Sequence, residues 1–199
     1  ELVPDLLCGG AAPVAAQAAR ETGQDLDVGL RFRRRGQGGP HALNPALYNS
    51  FGVFRSNLMS LVGIEGALDF YHGRLRARSE NGDVLFDGVD YRGYADLIHE
   101  EVKPWSYMKF PFITSLGKEK GWYRVGPLSR VQNCDFIPSP LAESERREFI
   151  DWGRGQPLHG SLAYHWARMV ELLHCMEVIA ELLDDPDILA GELMASGPR

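Results

Sequence analysis

The segment SLAYHWARMVELLHCMEVIAELL, Ser161 to Leu183, constrains the fold more than any other part of this sequence. No Gly or Pro interrupts it between Gly160 and Pro186, and apolar residues recur at spacings of three and four, which predicts one long helix. One face collects Leu162, Trp166, Met169, Val170, Leu173, Met176 and Ala180. A second stripe collects Ala167, Leu172, Cys175, Ile179 and Leu182. Together they are wider than the roughly 100° apolar face of a surface helix, so burial on two sides within a bundle is expected. Arg168 and Glu171, three residues apart, are placed to pair on the remaining face.

A chain of 199 residues with 44% apolar side chains can bury one substantial core, which predicts a single domain or a truncated one. Cys8, Cys134 and Cys175 are too few and too scattered for a disulfide framework and point to a reducing, cytoplasmic setting. The opening ELVPDLLCGG has no secretory pattern, and no run reaches the ~18 apolar residues of a membrane span. A net charge of −6 gives no overall attraction for nucleic acid. The cluster Arg31, Arg33, Arg34 and Arg35 reads as a solvated or partner-facing patch, since no phosphate-binding pattern accompanies it. A chain opening on Glu1 and closing on GPR reads as a portion of something longer.

Along the chain, Pro13 can open a helix running to about Thr22, and residues 36–45, with three Gly and two Pro, read as a linker. Phe51, Phe54, Leu58, Leu61 and Val62 predict a helix within Leu47 to Leu68. Tyr71 to Arg78, the turn ENGD and the return Val84 to Phe86 predict a β-hairpin at the periphery. Asp90 can cap a helix carrying Tyr91, Tyr94, Ile98 and Val102, which Pro104 ends. Trp105 to Pro140 has no sustained period and reads as an ordered, buried aromatic connector; a short helix follows from Leu141 to about Trp152. The expected class is α+β, mainly α: buried helices in a bundle, a hairpin, and an aromatic, proline-rich connector.

The chemistry-bearing residues form no recognisable reaction centre. Histidines 41, 72, 99, 159, 165 and 174 include no pair at three- or four-residue spacing, so His165 and His174 read as core or helix-end side chains. Cys175 reads as a small buried side chain, Cys134 in RVQNCDF as the cysteine best placed near a functional interior. There is no nucleophile elbow. In RVGPLSR, Gly126 and Pro127 make a tight bend, and Arg124 and Arg130 read as pairing with carboxylates, because unpaired buried charge is costly.

Four ordered blocks, DFYHGRLR, GVDYRGYADLIHEEVKPWSYMKFPF, GWYRVGPLSRVQNC and LHGSLAYHWARMVELLHCMEVIAELLDDPDI, resemble the nickel-iron hydrogenase large subunit of the cytoplasmic, NAD-linked kind. The resemblance covers Leu58 to Leu189, about two thirds of the chain. On this reading 46–199 is hydrogenase-like core and 1–45 a weakly matching amino-terminal part. The resemblance implies reversible heterolytic hydrogen oxidation at a NiFe(CN)2CO centre, with a diaphorase module and an iron-sulfur small subunit as partners. It also implies two cysteine pairs, RxCGxC and DPCxxC, and neither is in this chain; RxEG and APRG are absent too, unless GPR at Gly197 to Arg199 is a remnant. No metal ligand therefore carries over, and the chain alone is expected to bind no cofactor and to be inactive. What carries over is framework. Arg124, Gly126, Pro127 and Arg130 match the RVGPLxR block and are expected to shape a cavity wall; His165 and Arg168 match a HxxR turn expected to give support or line a proton path. The alternative is a metal-free scaffold or partner-docking protein.

Overall fold

Strand β1 (Asn57–Val62) lies at the centre of the architecture. It pairs antiparallel with β2 (Arg74–Arg78) and parallel with the two-residue β6 (Tyr123–Arg124). Strand β3 (Val84–Val89) pairs antiparallel with β2 and completes a sheet of order β3-β2-β1-β6. A second sheet consists of β4 (Ile98–Val102) and β5 (Lys109–Ile113). The computed structural model describes residues 50–189; within them, 50–171 belong to one unit and 172–189 to another. The expected helix at Pro13 to Thr22, the 36–45 linker, the Arg31–Arg35 cluster, Cys8, His41 and the closing GPR lie outside the described residues.

Six α-helices accompany the strands among the described residues, so the class is α+β. They are α1 (Tyr94–Leu97), α2 (Gly117–Lys120), α3 (Pro127–Asn133), α4 (Pro140–Trp152), α5 (Ser161–Leu183) and α6 (Pro186–Leu189). The bounds of α5 are those its sequence predicts.

Several expectations are corrected. No helix runs from Leu47 to Leu68: its best apolar stretch is β1, of which only Leu61 is not buried. A strand buried on both faces loses the polar–apolar alternation that marks strands, and its apolar residues then mimic a helical period. The hairpin is real, with Gly82 at φ +97 and the Ser79 amide closing the turn onto the Asp83 carbonyl at 2.7 Å, but it is not peripheral. Its first strand, β2, carries the fully buried Ala77, which packs with Met59 and Ile113 against Leu85, Phe86, Ile98 and Leu116.

Asp90 does cap a helical turn, accepting from the Arg92 amide at 2.9 Å. The helix nevertheless stops at Leu97, because Ile98 enters β4 opposite Ile113. The connector from Trp105 to Pro140 is ordered, carrying β5, β6, α2 and α3, yet Trp105, Tyr107 and Trp122 are exposed.

Along α5 buried and exposed apolar residues alternate, against the continuous double stripe of its sequence. Up to Glu171 its buried residues are Ala163, Trp166, Ala167, Val170 and Glu171, and Met169 is exposed; beyond it, Leu173 and His174 are buried while Leu172, Ile179 and Leu182 are exposed. Apolarity states what can be buried, whereas burial needs a neighbour at hand.

Candidate functional site

The RVGPLSR block makes a rigid corner. Gly126 takes φ +88 and ψ −166, a conformation that strains any residue with a Cβ. Pro127 follows as the first residue of α3, where its missing amide costs nothing. The Ser129 hydroxyl donates back to the Arg124 carbonyl at 2.7 Å, and the Arg130 amide donates to the Gly126 carbonyl at 3.0 Å.

Arg124 and Arg130 leave this corner in different ways. Arg124 donates to the His159 carbonyl at 3.0 Å, its guanidinium 5.0 Å from the Phe54 ring centroid and 5.2 Å from that of Tyr164. Arg130 donates to both carboxylate oxygens of Glu171, at 2.6 and 2.7 Å, and lies 5.2 Å from the Phe70 ring centroid. Bidentate geometry fixes orientation as well as charge. The Arg168–Glu171 pairing expected along α5 is therefore corrected: Glu171 is taken by Arg130. His165 and Arg168 are exposed on α5, so neither joins the corner.

Glu171→Gln is expected to lower stability by about 1–2 kcal/mol, because one charge-assisted bond is lost and the Arg130 charge is left uncompensated. Arg168→Ala should stay within about 0.5 kcal/mol. Urea midpoints of the two variants check this; equal losses would refute the role given to Arg130.

Two further arginines, which no sequence motif ranks above their neighbours, finish α3. Short helices end in unsatisfied carbonyls, and here guanidinium groups satisfy them. Arg146 donates to the Val131 carbonyl at 3.1 Å and also to that of Cys134. Arg76 donates to the Asn133 carbonyl at 2.8 Å while binding Asp87 at 2.8 Å and Asp135 at 2.9 Å. Asn133 is fully buried and donates to Ser60 Oγ at 3.1 Å, tying α3 to β1. The signal for Arg76 is its place in YHGRLR, one residue before the fully buried Ala77, though alternation there is too weak to single out one arginine.

His159, which the sequence pattern leaves without a role, is buried, and its Nε2 donates to the Glu80 carbonyl at 2.8 Å. Burial pushes its pKa down, so the ring is neutral at pH 7. Its side chain borders a cavity of about 610 Å³ with Arg55, Asp151, Trp152 and Arg154. A second cavity, of about 630 Å³, is bordered by His72, Arg76, Asp87, Tyr91 and Asp135.

Cys134 is buried, and its thiol points to the Val131 carbonyl at 3.6 Å. Burial pushes its pKa up to about 11 despite the neighbouring Arg146. At pH 7.5 it should carry roughly a hundredfold less thiolate than an exposed cysteine. Iodoacetamide labelling followed by peptide mass spectrometry should therefore find Cys134 protected in the native chain and labelled in urea. Equal rates would refute that burial.

No group of three or more His, Cys, Asp or Glu among the described residues is arranged to hold a metal ion. Nor is any described helix long and apolar enough to cross a membrane.

No family model matches the sequence. Against known proteins, it is 39% identical over 158 residues to the NAD-reducing hydrogenase HoxS subunit beta of Cupriavidus necator, a match covering 79% of this chain and 32% of that protein. The chain is similar to hydrogenase subunits. It is 41% identical over 152 residues to an F420-non-reducing hydrogenase subunit of Methanothermobacter marburgensis, covering 75% of this chain and 31% of that protein. With the F420-non-reducing hydrogenase iron-sulfur subunit of Archaeoglobus profundus it shares 36% identity over 149 residues, 70% of this chain and 30% of that one. A crystal structure described as NAD+-reducing [NiFe]-hydrogenase in the H2-reduced state matches with a TM-score of 0.79 at 38% identity, over 92% of this chain and 40% of that chain. The chain thus spans about a third of the length of these hydrogenase subunits.

These similarities correct the expected place of the chain within a hydrogenase. The similar proteins carry the names of other subunits, HoxS beta and an iron-sulfur subunit among them, so they overturn the large-subunit reading of the ordered blocks while the likeness to hydrogenase subunits stands. A nickel-iron group does not fit the described residues. Such a centre needs converging soft donors, and Cys134 is a buried thiol held protonated.

Proposed function

We propose that this chain is a framework module of a hydrogenase subunit of the HoxS beta kind, binding no cofactor itself. The observation that carries this reading is the 38% identity with a TM-score of 0.79 over 92% of the chain. The described residues suit such a role: a corner fixed by Gly126 and Pro127 whose neighbouring arginines are engaged by protein groups, Arg124 and Arg146 by backbone carbonyls and Arg130 by the Glu171 carboxylate. Arg124, Gly126, Pro127 and Arg130 hold a cavity wall in the full-length protein, and His165 and Arg168, both exposed, face neighbouring polypeptide there. The apolar side of α5 that carries Leu172, Ile179 and Leu182 becomes an inner face of a helical bundle. The assembly works in the cytoplasm with a diaphorase module and an iron-sulfur protein.

A chimera tests this, with the matched 158 residues of the Cupriavidus necator protein replaced by their counterpart here. Co-purification with its partner subunits and retained hydrogen-dependent NAD+ reduction are expected. A folded chimera that binds no partner subunit would overturn the reading.

A further inference from the structure

Between β4 and β5 the chain carries a tip that is apolar, ordered and uncovered. Trp105 is 75% exposed, Met108 68% and Val102 66%, and Tyr107 is fully exposed. Four such side chains within seven residues, at the end of β4 and on the loop after it, make the tip largely apolar, and soluble chains rarely leave large apolar surface bare. The tip is nonetheless well formed. Five register pairs run from Ile98 opposite Ile113 to Val102 opposite Lys109. The Ser106 amide donates to the Lys103 carbonyl at 3.2 Å, the Met108 amide to Ser106 Oγ at 3.0 Å, and the Trp105 ring sits 5.8 Å from that of Phe110. A preorganised aromatic tip loses little entropy on docking. The outer edge of β4 also has no strand partner among the described residues.

We propose that this arm is a docking surface, and that its occupant is the part of the hydrogenase-subunit polypeptide lying beyond the stretch matched here, which rests on the function proposed above. Two observations select that occupant. First, the arm's own four charges balance in pairs, Glu101 with Lys103 at 2.7 Å and Glu100 with Lys109 at 3.3 Å. No surplus charge is left to attract nucleic acid or an anionic membrane, so the partner is an apolar, neutral protein surface. Second, 92% of this chain is matched in a solved chain of which it covers only 40%, so that chain has further polypeptide available to cover this fold. An apolar arm that is bare on the shorter chain is the expected contact for it.

Tryptic cleavage after Lys109 reads the arm directly. It is measured on the 199-residue chain and on the chimera described above, alone and without partner subunits. Cleavage is expected to be at least tenfold slower in the chimera, with Trp105→Glu plus Tyr107→Glu restoring the fast rate and Val84→Glu, exposed on β3, leaving it slow. Equal cleavage in chain and chimera overturns the proposal. So does protection that arises only on adding partner subunits, which assigns the arm to an interface between subunits. A dimer of the isolated chain that the double variant dissociates in sedimentation overturns it in favour of a second copy. Because cleavage is read on the chimera alone, failure to bind partner subunits sinks the functional reading without touching this result.

Discussion

Replacing Phe149 by alanine is expected to cost about 3–5 kcal/mol, the range found when a fully buried aromatic ring is removed from a packed core. Among the described residues Phe149 is the largest side chain with no solvent exposure, and it meets the edge of Trp166 at 5.1 Å with an interplanar angle of 83°. Trp166 in turn contacts Trp152 at 6.4 Å, so one ring holds the packing of α4 on the first half of α5. Deleting it removes an edge-to-face aromatic pair as well as apolar burial and leaves a cavity that the two tryptophans cannot close. Phe149→Leu keeps most of the volume and should cost no more than about 1.5 kcal/mol. Urea unfolding followed by tryptophan fluorescence measures both. A loss under about 1.5 kcal/mol for the alanine variant would mean that this cluster is not the core of the helical layer.

The second large effect belongs to Arg76. Its alanine variant leaves the Asn133 carbonyl, Asp87 and Asp135 without their shared donor. The expected loss is about 2–4 kcal/mol, less than for a wholly buried ion pair because both carboxylates are about half exposed. Arg76→Lys should recover only part of it, since one ammonium cannot reach three acceptors in a plane. The loss also depends on pH. The hydrogen bond from Arg76 holds the Asp87 carboxyl below the ordinary carboxylate range. That part of the stability is fully present above about pH 4 and disappears as the pH falls through the lower folded-state value. Parent and alanine variant should therefore converge on acidification below about pH 4. A difference that grows there would refute the assignment.

The sequence is most legible where local chemistry decides structure. The Asn81-Gly82 turn, the Asp90 cap and the uninterrupted run from Ser161 to Leu183 all carry their own cause, and each appears at its predicted place, whereas the helix that Pro127 opens lies in a stretch read only as a bend within a connector. It misleads where a neighbour decides. The apolar stretch of β1 reads equally as helix until β2 and β6 are placed beside it. Glu171 has a candidate partner three residues away, yet takes one 41 positions back. Trp105 and Tyr107 read as buried because they are apolar, whereas burial depends on cover.

At the candidate site the corner at Gly126 is foreseeable from glycine and proline chemistry. The arginines closing α3 are not, because a guanidinium looks the same in sequence whether it faces water or the carbonyl end of a helix.

The parallel pairing of β1 with β6 bears on how the chain reaches this fold. Asn57 donates its side-chain amide to the Trp122 carbonyl across 65 residues, and everything between, both hairpins included, must be gathered before that bond can close. Contacts between distant positions are entropically slow to make, whereas β2 with β3 and β4 with β5 need only short loops. The two hairpins should thus form early and the β1–β6 seam last. Hydrogen exchange pulsed during refolding would find the β6 amides the final ones in the sheet to gain protection.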